Sequence, residues 1–119
     1  MGESKKSGPK KGKKGKKTRL NAFVPLGIGS HHTAVEDFAI FGDYTFKRTS
    51  TGNYTIRFRG AGCQKKEWPP PVIFTNETGD RYVRIQGWSC KKGDFIAYVT
   101  SEDDGLMADY DFDWIVYRG

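Results

Sequence analysis

From residue 38 onward, hydrophobic and polar side chains alternate with a period of two. Tyr44, Phe46 and Arg48 alternate with Thr45, Lys47 and Thr49. After the turn Ser50-Thr51-Gly52-Asn53, Tyr54, Ile56 and Phe58 alternate with Thr55, Arg57 and Arg59. That pair predicts a β-hairpin with its aromatics inward and its Arg and Thr outward. Trp68-Pro69-Pro70-Pro71 imposes a stiff extended connection. A short strand is expected over 72–75, a turn over 76–80, and two strands over 81–88 and 95–100 around Lys91-Lys92-Gly93-Asp94. An acidic loop over 101–105 then leads to a long strand over 109–117 that places Tyr110, Phe112, Trp114 and Val116 on one face. No stretch of twelve residues carries a helical period. The pattern predicts an all-β chain, an antiparallel β-sandwich of jelly-roll-like form with about six to eight strands. Tyr54, Ile56, Phe58, Phe95, Val99, Phe112, Trp114 and Val116 are its expected core.

Upstream the pattern changes twice. Residues 20–37 mix the apolar Phe23, Val24, Leu26 and Ile28 with the breakers Pro25, Gly27 and Gly29. They are expected to form an extended connecting arm, with a short strand as the alternative, laid against the domain at residues 38–119 or against a neighbouring subunit. Residues 1–19 hold no aromatic side chain and no apolar one after Met1. Such a segment buries too little surface to offset its ordering entropy, so a disordered basic arm is expected.

Charge sharpens that division. The chain carries 20 Lys and Arg against 14 Asp and Glu, net +6. Residues 1–19 supply eight Lys and one Arg against one Glu, or +8, leaving −2 for the other hundred residues. Lys5, Lys6, Lys10, Lys11, Lys13, Lys14, Lys16, Lys17 and Arg19 are the candidate polyanion-binding residues, suited to nucleic-acid phosphates or to an acidic protein surface. No apolar run approaches the roughly 18 residues of a membrane span. No apolar segment of the secretory kind follows the basic stretch, and no membrane partner is expected. The chain has 17 aromatic residues, more than the thin core of a domain this small needs, so an exposed aromatic surface and an oligomer or larger assembly are expected.

Candidate chemistry is sparse. His31 and His32 are adjacent, and in an extended segment they point opposite ways, which reads as loop polarity rather than a shared site. No nucleophile elbow and no phosphate loop is present, so no enzyme and no cofactor is expected. Cys63 and Cys90 lie 27 positions apart without zinc-ligand spacing. They form either one disulfide or two separate small core residues. Glu102, Asp103 and Asp104 precede Asp109, Asp111 and Asp113 with no basic residue between them. Three readings stay open for these six: a calcium site, a solvated strand edge that blocks pairing, or a seat for the Lys-rich arm of a neighbouring copy. None has EF-hand spacing, and no metal site is assigned. Asn53-Tyr54-Thr55 and Asn76-Glu77-Thr78 match glycosylation sequons, but both sit where turns are expected.

The stretch Thr45-Phe46-Lys47-Arg48-Thr49-Ser50-Thr51-Gly52-Asn53-Tyr54-Thr55-Ile56-Arg57-Phe58-Arg59-Gly60, followed by Pro71-Val72-Ile73-Phe74 and by Asp109-Tyr110-Asp111-Phe112-Asp113-Trp114-Ile115-Val116, resembles small β-sandwich modules of bacteriophage tail-fibre ends and bacterial surface proteins. The resemblance covers about two thirds of the chain. It implies a sandwich fold and no catalytic residues. The Trp-Pro-Pro-Pro segment, the cysteine pair and the basic arm depart from those modules.

A sandwich with a disordered basic arm also resembles viral coat proteins in general architecture. The leading expectation is a virion structural protein, as a minor capsid, cement or decoration, or fibre-associated subunit. Its partners would be other copies of itself, other virion proteins, and nucleic acid through the arm. Two alternatives are a carbohydrate- or surface-binding module using Trp68, Trp88 or tyrosines as platforms, and a cellular nucleic-acid-binding protein whose basic surface includes Arg57, Arg59, Arg81 and Arg84.

Overall fold

A computed structural model describes residues 24–64 and 67–118. The polyanion-binding candidates Lys5 to Arg19 lie outside the described residues. Among those residues the chain is all-β, and no helix long and apolar enough to cross a membrane is present. The strands are β1 (Pro25–His31), β2 (Phe38–Phe41), β3 (Tyr44–Ser50), β4 (Asn53–Phe58), β5 (Val72–Thr75), β6 (Arg81–Lys91), β7 (Asp94–Asp103), β8 (Leu106–Met107) and β9 (Phe112–Tyr117). They form two antiparallel sheets. One has the order β2-β1-β9-β5, and the other β3-β4-β7-β6 with β8 paired to β7.

The period-two segments supply the core. Tyr54, Ile56 and Phe58 from β4 pair across the sheet with Val99, Ala97 and Phe95 from β7, and all six are buried. Phe112, Trp114 and Val116 from β9 meet them from the other sheet. Aromatic rings fill the gap between the sheets: Trp114 lies 5.0 Å from Tyr44 edge-on and 5.9 Å from Phe46. Such offset and edge-to-face contacts exploit the ring quadrupole and favour one packing arrangement over its neighbours.

Residues 20–37 do more than connect. Pro25–His31 is a paired strand of the domain, placed between β2 and β9. Its alternation is inverted, because glycines rather than large residues face inward. A Cβ on Gly27 would lie 2.6 Å from the Phe58 ring, and one on Gly29 would meet the Tyr44 hydroxyl and come within 3.0 Å of Trp114. Only hydrogen fits at these two positions while Tyr44 reaches across the sandwich, its hydroxyl donating to the carbonyl of Ile28. Ile28 therefore points to the outer face of the sheet.

Three other boundaries differ from expectation. β6 and β7 run to Lys91 and Asp103, so Ser101, Glu102 and Asp103 belong to a strand and the turn is confined to Asp104 and Gly105. The last strand begins at Phe112 instead of Asp109. That strand is central in its sheet, flanked by β1 and β5, so the solvated-edge reading of its aspartates fails.

Candidate functional site

The acidic residues are dispersed among local partners. Asp109 sits beside the β3–β4 turn, where its Oδ2 accepts from Arg48 at 2.8 Å and its Oδ1 accepts from the Gly52 N–H at 2.8 Å and the Tyr54 hydroxyl at 2.9 Å. The Arg48 guanidinium, aided by those two donors, holds the Asp109 carboxyl down to about 2, and burial pushes the Tyr54 phenol up to about 12. Tyr54 also contacts the fully buried Ser101 at 3.1 Å. Gly52 is in the left-handed region at φ 69°, where a Cβ would come 2.7 Å from the Ser101 carbonyl oxygen. This closed network latches the hairpin to the end of β7.

Asp111 accepts from the Thr33 N–H at 2.8 Å and lies 3.5 Å from His32 Nδ1. The Thr33 backbone and hydroxyl draw its carboxyl below the usual carboxylate range. Asp113 accepts from the Ser30 hydroxyl and from Asn76, whose Oδ1 in turn accepts from the Asp113 N–H at 3.0 Å. Glu102 and Asp103 pair with Arg84 and Arg81. Among the described residues, no three His, Cys, Asp or Glu side chains group as a metal site. Both sequon asparagines are engaged in the turns, Asn53 with Ser50 and Asn76 with Asp113.

The two histidines separate as their spacing predicts, but His31 is no loop residue. It lies at the end of β1, 6% exposed, its ring stacked on Phe46 at 4.8 Å and edge-on to Tyr54 at 4.8 Å. Its Nδ1 faces Asp37 Oδ1 at 3.0 Å, while its Nε2 is buried with no hydrogen-bond partner among the described residues. The same Asp37 oxygen accepts from the His32 N–H at 2.9 Å, so one carboxylate pins both the ring and the loop that follows. These contacts pack the imidazole into the aromatic cluster between the sheets.

Cys63 and Cys90 are joined by a disulfide with their Cα atoms 5.5 Å apart. Beside it, Trp68 stacks on Phe95 at 5.4 Å and carries the Arg118 guanidinium over its ring at 5.2 Å. Trp88 lies 5.5 Å from the same Phe95. Both tryptophans are half-buried against the core, so neither is an open platform for sugar stacking. Arg57, Arg59, Arg81 and Arg84 form no unbalanced basic surface either, since each is held by a carboxylate: Asp94, Asp43, Asp103 and Glu102.

The least accounted-for surface is the outer face of the β2-β1-β9-β5 sheet. A groove of about 340 Å³ runs over it, floored by Ile28 and Ile115 and walled by Ile40 and Phe74. Asp113 and Asn76 mark its polar end. Strand pairing lines up Ile28, Ile115 and Phe74 in one row across three strands. The edge strand β2, Phe-Ala-Ile-Phe, is exposed at every position. Sequence alternation misses this surface because Gly27 and Gly29 hide the period in β1 and four apolar residues in a row hide it in β2. The excess of aromatic residues announced an exposed surface without locating it, and the uncharged, proline-free Phe38-Ala39-Ile40-Phe41 run was the local sign of where it lies. Compared with known protein families, curated proteins and solved structures, the chain matches none, so the likeness to fibre-end modules rests on sequence pattern alone.

Proposed function

We propose that this chain is a non-enzymatic structural subunit of a virion, acting as a minor capsid, cement or decoration, or fibre-associated protein, whose basic arm contacts nucleic acid or a neighbouring subunit. The observation that carries this reading is the separation of charge from architecture. Eight Lys and one Arg are gathered in residues 1–19, while the arginines the sequence offered for a basic domain surface are each neutralised by a carboxylate. An unbalanced basic segment joined to an internally neutralised sandwich divides the labour: the arm supplies sequence-independent attraction to polyanion, and the domain supplies a rigid body to assemble. The aromatic core and the disulfide favour a durable scaffold over a mobile one.

Salt titration of binding tests the role of the arm. With about eight phosphates neutralised on duplex DNA, the log-log salt slope of the full chain is expected near −7, from roughly −0.9 per contact. The variant with Lys10, Lys11, Lys13 and Lys14 all changed to Gln should show a slope near half of that. A slope unchanged by the four substitutions, or no binding at low salt, would overturn nucleic-acid contact through the arm and leave only contact with a neighbouring subunit. Native mass with and without nuclease treatment then reports whether the chain exists in a larger particle.

A further inference from the structure

The two outer faces of the sandwich obey different rules. On the β3-β4-β7-β6 sheet the outward positions of the first hairpin are Thr45, Lys47, Thr49, Thr55 and Arg57, and those of β7 and β6 add Ile96, Tyr98 and Tyr82 among polar neighbours. On the β2-β1-β9-β5 sheet the outward positions are apolar except for Ser30 and Asp113 at one end. Register puts Ile28 beside Ile115, Ile115 beside Phe74, and Tyr117 beside Val72. A register shift between Ile28 and Gly29 then leaves both Ile40 and Phe41 on the outside of β2. A sheet that is apolar on both faces is patterned for burial on both faces.

We propose that this outer face is a self-association surface, seating the same face of a second copy of this chain across a twofold axis. The inference rests on the proposed structural role for its biological meaning and supplies the contact that such a subunit would assemble through. Area decides first. Phe38, Phe41 and Phe74 are 63%, 50% and 54% exposed. At roughly 200 Å² for each ring side chain they offer about 330 Å², and Ile40 with the half-buried Val72, Ile28, Ile115 and Tyr117 brings the face to roughly 600 Å². That is the top of the range a monomer leaves open. Two such faces total about 1,200 Å², the lower bound of a stable specific interface.

Chemistry decides next. The carboxylate in the groove, Asp113, accepts from Ser30 and Asn76 and lies at one end, so the apolar row can be covered while this charge stays exposed to water at the rim. Among the described residues the edge strand β2 pairs only with β1, and it carries neither the charge nor the proline that ordinarily guard a free edge. The chain's own upstream residues are a poor cover. Residues 2–19 contain none of Val, Ile, Leu, Phe, Tyr or Trp, leaving Leu20, Ala22 and Phe23 against a face of eight apolar side chains. A second copy offers a matching apolar area, and a twofold packing of like faces closes the assembly at two.

Sedimentation of the nuclease-treated full chain in high salt, across the micromolar range, tests this. The expected species has twice the mass of the 13.4 kDa chain. Changing Ile40 and Phe74 together to Lys should weaken dimerisation at least about 100-fold while leaving the circular dichroism spectrum intact, since both side chains are more than half exposed. Ile40→Ser alone, a milder change, should weaken it at least about tenfold. Tyr98→Lys, on the opposite sheet, should leave the dimer unchanged. A monomer at every concentration, a dimer that survives the double substitution, or equal loss in Tyr98→Lys overturns the proposal. Nucleic-acid binding separates the two readings. A monomer that keeps the steep salt slope removes this surface and leaves the arm's role standing, whereas a dimer without polyanion affinity does the reverse.

Discussion

Replacing Asp109 with Asn should uncouple folding stability from pH at one identifiable place. The carboxyl is held from its ordinary 3.8 down to about 2 by Arg48, with Gly52 and Tyr54 adding their hydrogen bonds. A folded-state value below the unfolded one means that this stabilisation is complete above pH 5 and is lost as pH falls through 3.8 toward 2. The difference corresponds to about 2 kcal/mol, allowing for screening of the half-exposed Arg48 by water. Asn keeps an oxygen that can accept from Gly52 or Tyr54, but it loses the charge that Arg48 faces. Urea unfolding of both proteins between about pH 2 and pH 7 reads the effect directly. At neutral pH, Asp109→Asn should be less stable by about 2 kcal/mol, a fall in midpoint temperature of roughly 8–16 °C for a domain of this size. As pH falls the gap should narrow and close near pH 2. A gap that stays constant across this range would show that the variant disturbs packing instead of a titrating pair, and no gap at neutral pH would remove the latch altogether.

Two further outcomes test the packing. Gly29→Ala should cost about 2–3 kcal/mol by overpacking against Tyr44 and Trp114, while Gly87→Ala, whose new methyl would find its nearest neighbour 3.8 Å away, should be close to neutral in chemical denaturation. Cys63→Ser, with Cys90→Ser to avoid a free thiol, should lower stability by about 3.5 kcal/mol, because the bond closes a loop spanning 27 positions, and should leave the native mass unchanged.

Much of the sandwich was legible in the sequence where one face of a strand meets the core and the other meets water. Tyr54, Ile56 and Phe58 alternate with Thr55 and Arg57, and the first three are buried while the latter two are not. β1 was only partly legible, as a short strand within an extended arm, for a specific reason. Its inward side chains are hydrogens, required by the close approach of Tyr44 and Phe58, so a paired strand reads as breaker-rich connection. His31 was missed because nothing local marks a polar residue that stacks on Phe46 and packs at a tilt against Phe112, contributed from 15 and 81 positions away. The acidic residues read as a cluster in one dimension and scatter in three, since Asp109, Asp111 and Asp113 answer to the β3–β4 turn, the loop after β1 and Asn76 respectively. Sequence proximity of like charges reports composition, and only the fold assigns each its donor.

The placement of β9 also sets an order of events in folding. The β3–β4 and β6–β7 hairpins join neighbours in the chain and close loops of only a few residues. β9 instead lies between β1 and β5, and its Asp113 meets a Ser30 that is 83 positions away. Pairings of such long range pay their loop entropy before any contact repays it, so the hairpin sheet is set to form early and the β2-β1-β9-β5 sheet late. Without β9, Tyr54, Ile56 and Phe58 lack the layer that Phe112, Trp114 and Val116 supply. Trp114 is buried by the docking of β9, so with Trp68 and Trp88 replaced by Phe its fluorescence during refolding should report when that strand joins the domain.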